Sequence, residues 1–87
     1  MSNTRAVMDA SITVGDDTYL LSVEYAVRKE PEEKLTEWWD WCVERGRGDP
    51  VAEGVSWKSI DEARNCAEAV FEVVSGRPKE EISWKRY

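Results

Sequence analysis

Paired carboxylates are the first residues in this chain that could do chemistry: Asp16 with Asp17, Glu32 with Glu33, and Glu80 with Glu81. General acid–base work by such a pair needs a cleft that pushes two pKa values apart. Each of these pairs falls in a polar stretch that reads as a loop, where solvation keeps carboxylates ordinary. Histidine is absent altogether. The commonest general base, the Ser-His and Cys-His nucleophile arrangements and the commonest metal ligand go with it. No glycine opens a helix in the spacing of a phosphate-binding or dinucleotide-binding loop, and "GRG" at Gly46 to Gly48 reads as a turn.

The two cysteines, Cys42 and Cys66, lie far apart without metal-ligand spacing and read as small, mostly buried hydrophobes. A disulfide between them requires the fold to bring their Cα atoms within about 7 Å. Cys42 stands between Asp40 and Glu44 at strand spacing, and acidic neighbours raise a thiol pKa, which makes a poor nucleophile. No catalytic residue, metal site or cofactor is expected, and the reading is non-enzymatic.

Binding is what remains, and its residues concentrate in "EWWDWCVERG", Glu37 to Gly46. As a helix over 31–45, Leu35, Trp38, Trp39 and Cys42 form one stripe, Pro31 takes the first position and Gly46 ends it. As a strand over 36–45, Trp39, Trp41 and Val43 face inward, and Trp38, Asp40, Cys42 and Glu44 face outward. Three points favour the strand. Tryptophan suits strands better than helices. The helix leaves Trp41 and Val43 off its stripe. The turn cluster "GRGDP" stands directly before a further alternating run.

The neighbouring elements must position this segment. Met8, Ala10, Ile12 and Val14 alternate with Asp9, Ser11 and Thr13, which predicts a strand over about 6–14. "GDD" at Gly15 to Asp17 suits a tight hairpin turn. Tyr19, Leu21, Val23, Tyr25 and Val27 then predict a second strand over about 18–28. A fourth strand is expected over about 51–57, with Trp57 facing the core beside Trp39, Trp41, Tyr19 and Tyr25.

Ser59 and Glu62 form a capping box, each side chain satisfying a free helix amide. The helix over about 59–75 carries Ile60, Ala63, Ala67, Val70 and Val74 on its stripe, flanked by Cys66, Phe71 and Val73, and is closed by Gly76 and Pro78. The end of the chain, 82–86, is either a short last strand or a packed tail. The architecture is α+β: an antiparallel four-stranded meander with one amphipathic helix on one face.

Eighty-seven residues amount to one small domain. No apolar run approaches the ~20 residues of a membrane span, and the start "MSNTRAVMDAS" has no apolar signal core, so a cytoplasmic location is expected. A net charge of −6 argues against direct nucleic-acid binding and permits a partner with a basic surface.

The expected function is protein interaction. On the outward sheet face Trp38, Leu20, Ala26 and Cys42 make an apolar patch rimmed by Asp40, Glu44 and Glu24, unless the tail covers it through Ile82, Trp84 and Tyr87. One variant is an acidic inhibitor of a nucleic-acid-handling complex, offering Glu30, Glu32, Glu33, Asp40 and Glu44 where phosphates would bind. Small acidic phage proteins that block restriction or CRISPR machinery work in this style, and the likeness is one of size and charge. The alternatives are tryptophan platforms for a small ligand or carbohydrate, and a homodimer or structural subunit that buries the second sheet face.

Overall fold

The computed structural model of the chain describes residues 2–29 and 35–87. Strands β1 (Ser2–Val14), β2 (Asp17–Lys29), β3 (Leu35–Arg45) and β4 (Pro50–Ser56) precede helix α1 (Ile60–Ser75). A single 3₁₀ turn at Lys79–Glu81 and a short strand β5 (Lys85–Arg86) close the chain. The five strands form one antiparallel sheet in the order β4-β3-β2-β1-β5, so the meander gains an edge strand from the tail. The α+β architecture agrees with the periodicities. The last strand is shorter than 82–86, because Ile82 and Trp84 turn inward onto the core instead of pairing.

Segment 35–45 is strand, paired with β2 from Leu35↔Lys29 to Arg45↔Tyr19 and with β4 from Trp39↔Ser56 onward. The helix alternative for 31–45 is therefore overturned over its described part. Pairing on both sides from Trp39 onward satisfies the backbone of β3, and strand parity packs the half-buried Trp39 and Trp41 against the core. The expected contact residues Glu30, Glu32 and Glu33 lie outside the described residues.

β1 begins earlier than its alternation suggests. Ala6 faces Glu24 while Met8 faces Val23, so Val7 is an extra residue in the ladder and the parity changes there. The regular pattern Met8, Ala10, Ile12, Val14 starts only after that bulge.

The core lies between α1 and one sheet face. Ala10, Tyr19, Leu21, Val43, Ala67 and Phe71 form one cluster, and Met8, Val23 and Ala63 a second. Ala63 and Ala67 are fully buried, which lets the helix sit close to the sheet. Phe71 is central, not flanking: its ring meets Tyr19 edge-on at 5.6 Å between centroids. Val73 points away and is 83% exposed. Tyr25 belongs to neither cluster; its hydroxyl donates to Glu37 Oε2 at 2.7 Å.

The start of α1 departs from a full capping box. Ser59 Oγ accepts from the Glu62 amide at 3.1 Å, as expected. The Glu62 carboxylate instead accepts from Ser56 Oγ at 2.8 Å, and that buried hydroxyl also accepts from the amides of Lys58 and Ser59. Gly76 ends the helix at φ 72, its amide donating to Glu72 O. Among the described residues no helix is long and apolar enough to cross a membrane.

Candidate functional site

Register places the outward-facing residues of β2, β3 and β4 in rows across the second sheet face. Ala26 and Trp38 form the first row, and Trp57 stands at the next register position beyond the Trp39↔Ser56 pair. Glu24, Asp40 and Val55 follow, then Ser22, Cys42 and Glu53, then Leu20 with Glu44. Successive rows lie roughly 6.8 Å apart, two residues along a strand. A groove of about 640 Å³ runs over this face, with Ser22, Glu24, Asp40, Cys42, Glu44 and Glu53 in its lining.

One row beyond Asp40 and Val55, which line the groove, the indoles of Trp38 and Trp57 meet, with centroids 5.5 Å apart and planes tilted by 44°. Trp38 Nε1 donates to Asp40 Oδ1 at 3.1 Å, which holds that carboxylate beside the ring pair. Trp57 is 64% exposed. This corrects the expectation that Trp57 faces the core. Ala52, Gly54 and Ser56 face the helix side instead, because they lie across from Val43, Trp41 and Trp39. Two indoles already fill that space, so β4 can present only small residues there. A β-carbon on Gly54 would stand 2.7 Å from Trp41 Cζ2.

Along the groove Glu24 and Asp40 are directly opposite across β2 and β3, and Glu53 is opposite Cys42. Glu44 Oε2 accepts from the Gly48 amide at 2.7 Å, tying the groove's far end to the β3–β4 turn. Among the described residues no lysine or arginine lines the groove, and the ion pairs Arg64–Asp61 and Arg77–Glu81 lie outside it. The Cys42 thiol is pushed up, first by burial and then by Glu44, Glu53 and Glu24. Cys42 and Cys66 are free thiols. Among the described residues no cluster of histidine, cysteine or carboxylate side chains is arranged to hold a metal ion.

The tail leaves this face open. Ile82 and Trp84 pack against the helix-side core, and Trp84 Nε1 donates to Glu68 Oε2 at 3.0 Å. Only Tyr87 reaches across, its hydroxyl donating to Asp9 Oδ2 at 2.6 Å, and its ring lies under Lys85 Nζ. The reading of the tail as a cover for the patch is thus overturned. Pairing of Lys85 and Arg86 with β1 directs the tail along the far edge of the sheet.

The fold therefore brings Trp38, Leu20, Cys42, Asp40 and Glu44 onto one surface and adds Ser22, Glu24, Glu53 and Trp57 to it. Glu53 and Trp57 carried a readable signal: the alternation of β4 between small residues and Val51, Val55 and Trp57 has two solutions. Only the bulk of β3 selects between them. The chain matches no family model, no curated protein and no solved structure.

Proposed function

We propose that the protein is a non-enzymatic interaction module that docks a partner protein on the second face of its sheet. One observation carries this reading: an exposed indole, Trp57, is packed on Trp38 beside an open groove that the tail does not cover. Tryptophan supplies large contact area at low entropic cost and is enriched at binding hot spots. A carbohydrate platform built of two coplanar rings gains no support from a pair tilted by 44°.

The finer reading is inhibition of a nucleic-acid-handling complex in the cytoplasm, with groove carboxylates occupying a surface meant for phosphates. Its support is the four carboxylates Glu24, Asp40, Glu44 and Glu53 along one groove and the net charge of −6. Affinity capture from the native host with mass spectrometry tests the module reading. A partner retained by the wild-type chain is to be lost with Trp57→Glu. Identical captures by both chains would refute docking through this face. The inhibitor reading requires further that the captured partner loses its nucleic acid when the protein is added.

A further inference from the structure

We infer that the segment received by this face is extended and bears arginine, with a guanidinium laid on the Trp57 ring and directed at the Asp40 carboxylate. The inference rests on the module reading above and gives the partner its chemistry.

Charge complementarity points to a cation. Glu24, Asp40, Glu53 and Glu44 line the groove, with no basic side chain among the described residues that form it. Glu24 and Asp40 face each other directly across the ladder, an arrangement that like charges disfavour until a cation lies between them.

The aromatic pair selects arginine over lysine. A guanidinium is planar, stacks on an indole face and forks a carboxylate, whereas an ammonium is a compact and strongly hydrated point charge. Trp57, just past the end of β4, presents an exposed ring two residues on from Val55, which lies opposite Asp40. Asp40 is held in place by the Trp38 indole N–H, so its orientation is set before a ligand arrives.

The rows select an extended backbone. Carboxylates recur from the Glu24–Asp40 row to Glu53 and then Glu44, one row at a time. A segment in extended conformation repeats its side chains on one side at the same spacing of roughly 6.8 Å. Alternate basic residues then meet successive rows.

The probe is a short synthetic peptide alternating arginine with threonine, compared with lysine and citrulline versions and with spermine. Each is titrated calorimetrically into the full chain at low and at near-physiological salt. The arginine peptide is expected to bind and to weaken with salt, the lysine version to bind at least about fivefold more weakly, and the citrulline version not to bind. Trp57→Ala and Asp40→Asn are each expected to weaken the arginine peptide roughly tenfold with unchanged circular dichroism, and Glu24→Gln serves where Asp40→Asn fails to fold.

Equal binding of the lysine peptide or spermine would reduce the site to bare charge and overturn the inference. So would an arginine peptide that does not bind, or one that binds without displacing the captured partner. If Trp57→Glu still abolishes partner capture while arginine peptides neither bind nor compete, the segment inference fails and the module reading stands. If capture is indifferent to Trp57→Glu, the module reading itself fails.

Discussion

Gly54 lies across the ladder from Trp41, so close to the indole that a β-carbon there would stand 2.7 Å from Cζ2. This contact sets the facing of β4 from Ala52 to Ser56, on the near side of the register shift that separates Ala52 from Pro50. Because the ring occupies the helix side, the larger residues of β4 turn to the opposite face, and Trp57 with them. Gly54→Ala must displace a half-buried ring, and overpacking of this kind costs about 1–3 kcal/mol. Urea denaturation is expected to show that loss, and a smaller one when Gly54→Ala is combined with Trp41→Phe.

Glu24 and Asp40 make an opposed like-charge pair on the open face. Removing one charge is expected to stabilise the free protein by about 0.2–1 kcal/mol at low salt. Thermal melts of Glu24→Gln should show the gain, and added salt should erase most of it by screening. A variant that is more stable and yet binds its partner less well would mark the pair as kept for binding.

Ser56 is 1% exposed, and its hydroxyl serves Glu62, Lys58 and Ser59 at the junction of β4 and α1. Ser56→Ala leaves the Glu62 carboxylate and two amides without that partner. The expected cost is about 1–3 kcal/mol, measured by chemical denaturation. Ser59→Ala removes only the cap bond and is expected to cost about 0.5–2 kcal/mol.

Cys42 carries a pH signature. Its folded pKa lies above the ordinary 9.0, because burial and the Glu44, Glu53 and Glu24 carboxylates disfavour the thiolate. The folded state therefore holds its proton over a window in which the unfolded chain releases it. The resulting stability is complete below 9.0 and is lost as pH rises through the folded value. Alkylation of the native protein at neutral pH is expected to be slower than that of the unfolded chain. Glu53→Gln should move its alkaline onset to lower pH.

Trp57 is exposed and Trp41 is packed against the core. Acrylamide quenching is expected to fall sharply in Trp57→Phe and little in Trp41→Phe. Trp57→Ala should cost about 0.5–1.5 kcal/mol, the contribution of its ring contact with Trp38.

Much of the fold was legible because single-sided burial leaves a periodic trace. The alternations at Met8 to Val14 and Tyr19 to Val27, and the stripe from Ile60 to Val74, each mark an element with one apolar face. Part of the site followed from parity alone, since burying Trp39 and Trp41 in a strand sends Trp38, Asp40, Cys42 and Glu44 outward. Where periodicity fails, a neighbouring element decides. Val7 interrupts the ladder of β1, and nothing in its side chain announces a bulge. Phe71 looked peripheral to the helix stripe and became central because the sheet offers it the edge of Tyr19.

The sequence by itself determined the class of fold and the lack of a histidine-based chemistry, and it favoured strand over helix for β3, because these follow from local period and composition. Tertiary structure decided which face β4 presents, that the tail packs on the helix side, and hence that Trp57 joins Trp38 beside an acidic groove. The reason is volume. Strand parity offers two equivalent facings, and the indoles of Trp39 and Trp41 leave room for only the one that turns Ala52, Gly54 and Ser56 inward.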